Sequence, residues 1–384
     1  MKHNYLTIFL IISAFFLAGL GWQWIQVTTE IGGYYFYGTL DEAPKDALEV
    51  KLYQAQKEKQ KPEKREVKGL YLTAYTAGND ASRNRLIDLI NTTELNAVVI
   101  DIKDYTGHLL YDSELEMVNE LGIDKDRLGD VAMVIDAFHE HDIYVIARQT
   151  VFQDPIVAQK KPEWAIHARD GGLWRDHKGL AWVDPTRKEI WEYNVEIARE
   201  AISLGFDEIQ FDYVRFPSDG NMSSVVYTNG DKPLTTIMGD FYTFLDTELS
   251  NESAWISLDM FGFVMERHDG MQIGQRLEDA VDHVDYISPM MYPSHYPSGH
   301  LGLANPAASP GIVIENGMKK GMPYVENHRA MIRPWIQAFN IGATYDAGKI
   351  RAQIDMVEKY TDGGWMLWNA SNRYSSAGLE RSML

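Results

Sequence analysis

Glu208-Ile-Gln-Phe-Asp-Tyr-Val-Arg-Phe-Pro217 alternates apolar and polar residues and closes on a proline. Period-2 alternation rich in Phe, Tyr and Val reads as a strand. Upstream, residues 187–204 carry apolar side chains at helical spacing and stop at Gly205, so a helix feeds this strand through a short turn. Asp212, Tyr213 and Arg215 then fall at the strand's C-terminal end, where α/β barrels keep their chemistry. A lone Asp at such a place reads equally well as a cap that tidies the strand end. The rest of the chain decides between the two.

From Val67 onward the same pattern repeats: a short apolar run of β type, a polar turn, then a helical stretch. Strands are expected at 69–76, 97–103, 143–148, 208–216, 255–261, 284–292, 332–339 and 364–368. Further helices are expected at 84–91, 128–141, 237–249, 273–283 and 348–360. Strands alternating with helices indicate βα units and a parallel sheet. Eight such units predict a closed (β/α)8 TIM barrel. An open doubly wound sheet would place a Gly-rich phosphate fingerprint after the first strand, and Thr76-Ala-Gly-Asn79 is not one. Three loops exceed what a minimal barrel needs, at 149–184, 217–236 and 293–331, and long loops in compact domains are usually functional. The first carries Trp164, Asp170-Gly-Gly172, Trp174 and Trp182, which suggests a small hairpin edged with aromatics.

The 384 residues include 36 Lys and Arg against 55 Asp and Glu, a net charge of -19 that argues against nucleic acid as a partner. Cysteine is absent, which excludes a disulfide framework, a thiol nucleophile and an acylated-Cys anchor. Residues 6–25 form an apolar run about as long as a bilayer-spanning helix, preceded by Lys2 and closed by Trp22 and Trp24. An uncleaved membrane anchor and a cleaved signal peptide both fit; the lack of a clean small-x-small site favours the anchor. The stretch KLYQAQKEKQKPEKREVK at 51–68 is dense in charge and broken by Pro62, as a solvated stalk would be. The expected organisation is thus an anchor or signal segment at 1–25, a stalk at 26–66 and a barrel at 67–384.

The expected strand ends bring together Asp101, Lys103 and Asp104 from the second strand, and Arg148 and Gln149 from the third. Asp259 comes from the fifth and Tyr292 from the sixth. Gln337 comes from the seventh, with Trp365, Trp368 and Asn369 from the eighth. With Asp212, Tyr213 and Arg215 they make a rim suited to sugars, since aromatic faces stack on pyranose rings and polar groups bind hydroxyls. Glycosidic cleavage asks for two carboxyl groups, one ionised and one held protonated. The histidines show no HExxH spacing for zinc, no G-x-S-x-G elbow supports a serine nucleophile, and no motif calls for a cofactor.

KGLYLTAYTAG at 68–78, AVVIDIKDYTG at 97–107, WVDPTRKEIWEYN at 182–194, GFDEIQFDYVRFP at 205–217 and DYISPMMYPSHY at 285–296 resemble a bacterial glycoside hydrolase family, a domain of unknown function with a glycosidase-type TIM barrel. The resemblance spans roughly residues 67 to 380 and implies a barrel of that superfamily with Asp212 as the leading catalytic residue. A looser likeness ties Gly205–Tyr213 to the fourth strand of chitinases. There the catalytic Glu falls on Val214 and the middle Asp on Gln210, so chitinase chemistry is not carried over.

These observations lead to an exported, membrane-tethered glycoside hydrolase acting on an envelope or extracellular polysaccharide. Asp212 would be nucleophile or charge stabiliser and Asp259 the acid, with Asp101 and Asp104 next in line. Arg215 and Tyr213 would orient Asp212 or lower its pKa. A carbohydrate-binding barrel without turnover remains the alternative, and a purely structural envelope barrel a third. The N-terminal run is expected to stay attached with the barrel outside the cell. N-terminal sequencing of the mature protein tests this, and a start near Trp22 would refute the anchor.

Overall fold

The computed structural model describes residues 61–382 and, in the separate unit Met1–Gln60, a short antiparallel ribbon pairing Glu30–Ile31 with Tyr34–Tyr35. The apolar run at 6–25 and residues 51–60 of the expected stalk lie outside the described residues. No described helix is long and apolar enough to cross a membrane.

Eight parallel strands close into a barrel: β1 (Val67–Leu72), β2 (Ala97–Lys103), β3 (Tyr144–Thr150), β4 (Glu208–Asp212), β5 (Trp255–Phe261), β6 (Tyr286–Met290), β7 (Trp335–Gln337) and β8 (Gly364–Trp368). Each pairs with the next, and β8 returns to β1 with Gly364 opposite Val67. The outer layer includes α1 (Asp80–Asn91), α2 (Val131–His139), α3 (Lys188–Ser203), α4 (Leu234–Leu249), α5 (Pro310–Gly321) and α6 (Ala347–Glu358). Two glycines make tight joints. Gly205 turns α3 into β4 at φ 108°, and at Gly364 (φ 85°) an added Cβ would lie 1.9 Å from the Val67 carbonyl oxygen.

The helix expected at 273–283 is a chain of turns. Met271, Gln272 and Gly274 take positive φ just before and within it, which breaks a regular helix at its start. Conversely, the stretch 293–331, read as a loop, contains α5, which begins with Pro310 in its first turn. The loop after β3 does fold back on itself through bridges Ala165–Val183, His167–Leu173 and Arg175–Ala181. Its His167–Ala168 pairs with Val225–Val226, so the loops after β3 and β4 form one wall.

The outward faces of the strands and the apolar faces of the helices share one buried cluster; the barrel interior forms another around Tyr71, Val99, Ile146, Trp335 and Met366. Alternation along β4 supplies one polar residue to each level of the interior. At the lower level, Glu208 pairs with Arg333 at 3.1 Å and accepts from Ser257 at 2.5 Å, while the Arg333 guanidinium lies 4.2 Å from the Tyr286 ring centre. In the middle, Gln210 donates to Ser288 at 3.1 Å. Asp212 stands at the top.

Residues 61–66, expected as solvated stalk, cross the lower mouth instead. Trp255 Nε1 donates to the Pro62 carbonyl at 2.9 Å, Lys61 approaches Asp285 at 3.5 Å, and Lys61 and Lys64 both lie under 5 Å from the Trp255 ring centre. Burial lowers the Lys61 pKa. Apolar methylenes against Trp255 and a fixed carboxylate hold this charged segment that solvation would otherwise free.

Glu208 and Arg333 are both fully closed from solvent. Glu208→Gln strands a buried guanidinium, and urea denaturation should show a loss of roughly 3–5 kcal/mol, as removal of one partner of a buried pair typically costs. A change under about 0.5 kcal/mol, the size of an ordinary surface substitution, would show that the pair is not a structural element.

Candidate active site at the upper mouth of the barrel

Asp101 lies beside Arg148 in the β2–β3 register, and extending the β4–β5 register by one residue from Phe211–Leu258 sets Asp212 beside Asp259. All four side chains point inward at the C-terminal ends of their strands. Arg148 joins them. Its Nη1 donates to Asp101 Oδ1 at 2.5 Å, its Nη2 to Asp212 Oδ2, and its Nε stands 3.4 Å from Asp259 Oδ2. The second Asp101 oxygen accepts from the Tyr71 hydroxyl at 2.5 Å, and Asp259 Oδ1 accepts from Trp335 Nε1 at 2.7 Å. Asp212 and Asp259 are 3% and 1% exposed.

Three carboxyl groups around one guanidinium cannot all ionise cheaply out of water. Burial, then the neighbouring charge of Asp212, pushes Asp259 well above the usual carboxylate range against the pull of Arg148 and Trp335. Burial also raises Asp101, with Arg148 opposing it. Burial would lower Arg148, but Asp212 and Asp101 more than compensate and keep it cationic. Of the three carboxyls Asp259 is thus the one pushed well above the usual range, and its Oδ2 receives no hydrogen bond among the described residues. A carboxyl raised in the folded state binds protons more tightly there than when unfolded. Its contribution to stability is full below the unfolded value and is lost as pH rises through the raised one.

Asp212 is fixed through both oxygens, because Oδ1 accepts from the Tyr213 amide at 2.5 Å. Tyr213 itself adopts φ 54°, a left-handed conformation that costs a bulky residue on the order of 1–3 kcal/mol. Above the cluster, Trp368 stacks on Tyr71 with centroids 3.9 Å apart, meets Trp335 edge-on at 5.4 Å and lies 5.1 Å from the Arg148 guanidinium. Tyr292 stands 6.4 Å from Trp368. Trp368 is also a wall of an open cavity of about 670 Å³ over the ends of β7 and β8, with Phe339, Tyr345, His295, Asn369 and Arg373. The carboxyl groups lie beneath Trp368 rather than in that cavity's lining.

Several expected rim residues lie elsewhere. A bulge shifts the β2–β3 register between Asp101 and Lys103, and a one-residue slip sends a side chain to the opposite face. Lys103 accordingly points outward, paired with Asp154 at 2.7 Å and bonded to the Thr150 carbonyl at 2.9 Å. Gln149, its register partner, faces outward too and donates to Asn194 of α3 at 2.9 Å. Trp365 is fully buried on the outer face, its Nε1 donating to Glu358 at 3.2 Å. Gln337 accepts from the Ser294 amide at 3.0 Å and so ties two loops together. Asp104 forms a turn with Thr106, its Oδ1 2.8 Å from the Thr106 amide. Asn369, by contrast, stays at the rim beside Trp368, where it lines the cavity and donates to the Ala338 carbonyl at 2.8 Å.

Arg215 does not reach Asp212. Its Nη1 donates to the Phe216 carbonyl at 3.0 Å, its guanidinium lies 4.7 Å from the Phe261 ring centre and 5.0 Å from that of Trp182, and burial lowers its pKa. The contact assigned to it belongs to Arg148. Tyr71 and Trp335 were not among the expected site residues. Both share the inward parity of their strands, which was the available signal.

The sequence profile of a family described as "Putative glycosyl hydrolase domain" matches residues 69–374. The chain belongs to this family. Among curated proteins none matches the sequence. A hypothetical protein of known structure from Ruminiclostridium thermocellum is 42% identical, over 50% of this chain and 96% of that one, with TM-score 0.47. The PgaB (BpsB) glycoside hydrolase domain from Bordetella bronchiseptica is 13% identical, over 81% of this chain and 95% of that one, with TM-score 0.54. The alpha-galactosidase TtGalA from Thermus thermophilus is 12% identical, over 88% and 64%, with TM-score 0.50. These last two share the barrel fold with this member of the family.

Trp335→Phe removes the hydrogen bond that favours ionised Asp259. The Asp259 carboxyl should then titrate at still higher pH, by on the order of one unit, since a net hydrogen bond is worth about 1 kcal/mol. Carboxyl-carbon NMR across a pH series measures this. An unchanged or lower midpoint would show that Trp335 does not control the proton.

Proposed function

We propose that this chain is an exported glycoside hydrolase that cleaves a polysaccharide at the upper mouth of its barrel. One observation carries the reading: burial and the neighbouring Asp212 push the Asp259 carboxyl well above the usual carboxylate range, next to an Asp212 that is ion-paired with Arg148. Glycosidic cleavage needs that division of labour between two carboxyl groups. Asp259 gives its proton to the departing glycosidic oxygen. Asp212, oriented through both oxygens, supplies negative charge to the oxocarbenium-like transition state as stabiliser or nucleophile. Arg148 holds Asp212 in an ion pair and limits how far the Asp259 pKa rises. Trp368, with Tyr71 behind it, offers a flat apolar face for a sugar ring next to the acid. Export and tethering to the cell membrane rest on the apolar run at 6–25, preceded by Lys2 and closed by Trp22 and Trp24.

The burial of both carboxyl groups beneath Trp368 favours a second reading, a carbohydrate-binding barrel that does not turn over. Substitution separates the two. Asp212→Asn should abolish hydrolysis while leaving glycan affinity within about twofold, because shape is kept and charge removed. Asp259→Asn should depress the rate on substrates with poor leaving groups far more than on activated aryl glycosides. In the wild type, kcat/KM should fall as pH rises through the elevated Asp259 pKa, and that limb should vanish in Asp259→Asn. Binding of several glycans with hydrolysis of none would establish the second reading.

A further inference from the structure

The cavity beside Trp368 has a charge pattern opposite to that of the whole protein. The chain carries 55 acidic residues and a net charge of -19, yet the cavity lining contains no carboxylate. Its one permanent charge is Arg373, exposed and with no ion pair among the described residues. The residues on either side pin this arginine in place. Asn372 accepts from the Thr73 amide at 2.9 Å and donates to the Tyr71 carbonyl at 3.0 Å; the Tyr374 hydroxyl donates to that same carbonyl at 2.8 Å. Asn369 donates to the carbonyl of Arg373 itself at 3.0 Å. The loop is thus anchored to β1, and an unpaired guanidinium is presented from a rigid base. Across the cavity, burial lowers the pKa of His295, so its ring is a neutral donor and acceptor at neutral pH.

Trp368, Phe339 and Tyr345 supply apolar faces, and a volume of about 670 Å³ falls within the usual range of about 300–1,000 Å³ for small-ligand sites. We infer that this cavity is a subsite for an anionic sugar, whose carboxylate or sulfate is bound by Arg373 while its ring stacks on Trp368. Guanidinium geometry matches such planar or tripodal anions through two parallel donors. The inference rests on the proposed glycosidase reading for its place in the reaction, since Trp368 separates this subsite from Asp259 and Asp212. The polymer cleaved would then be acidic, with the charged residue next to the scissile bond.

The test is equilibrium binding to the full chain, measured by calorimetry with oligogalacturonate, a sulfated galactan oligosaccharide, a neutral galactan oligosaccharide and a chitosan oligosaccharide. An anionic probe should bind best, the carboxylate and sulfate arms distinguishing the two anions. Arg373→Ala should weaken that probe about tenfold, equivalent to about 1.4 kcal/mol, and leave the neutral probe unchanged. Arg373→Lys should recover part of the loss, and added salt should weaken only the anionic probes. Failure of every anionic probe to bind, a preference for the neutral or cationic probe, or indifference to Arg373→Ala overturns the inference. Cleavage of a neutral glycan with no role for Arg373 would sink the subsite but keep the glycosidase. Arg373-dependent binding of an acidic glycan that is never cleaved would do the reverse.

Discussion

Arg148 is the constraint on which the upper half of the barrel depends. Its three guanidinium nitrogens address carboxyl groups on β2, β4 and β5, and none of those carboxyls is more than slightly exposed. Without a cation at their centre, three buried acids on neighbouring strands would repel one another or all hold protons. With it, Asp101 and Asp212 are ion-paired, while burial together with the Asp212 charge pushes Asp259 well above the usual carboxylate range. The acid–base asymmetry of the site is therefore a property of packing. It needs no residue type other than aspartate, which explains how a mouth lacking any glutamate can still hold two carboxyl groups in different states.

The barrel interior as a whole is unusually polar, and it is organised in levels. Glu208, Gln210 and Asp212 rise along one strand, and each finds its partners on other strands: Arg333 and Ser257 below, Ser288 in the middle, Arg148 above. Each level finds its main partners within itself, although Gln210 Oε1, Arg333 Nε, Arg148 Nε and Asp259 Oδ2 accept or donate no hydrogen bond among the described residues. Buried polar networks are tolerable when their members are paired and costly when they are not. The lower network fills the end that residues 61–66 cross, and the upper network leaves Trp368 as its roof.

Much of this was legible beforehand. Strands β2, β5 and β8 run over the residues that alternation indicated, and the inward parity of Asp101, Arg148, Asp212 and Asp259 followed from it. What alternation could not reveal was the bulge after Asp101, which is a local backbone event with no side-chain signature. It removed Lys103 from the mouth, whereas Gln149 faces away simply because it follows the inward Arg148. Strand length misled at the other side. An eighth strand read as facing the cleft over its whole span put Trp365 there, although it sits an odd number of residues from Trp368 and must face the opposite way. Arg215 was assigned to Asp212 from sequence proximity, yet Tyr213 turns the chain left-handed between them and carries Arg215 onto Trp182 and Phe261. Trp335 escaped notice because nothing in one sequence says which strand faces Asp259 across a closed barrel.

The docking of residues 61–66 separates two tasks along a single strand. Trp255, which receives that segment, begins β5; Asp259, whose pKa is raised, lies four residues further along it. At about 3.3 Å per residue, the strand keeps them roughly 13 Å apart. The segment enters β1 at Val67 and is held from the side by Trp255 and Asp285, so it is fixed to two strands at the lower mouth. The lower mouth thus fixes where the chain enters the barrel, at the end opposite the carboxyl groups.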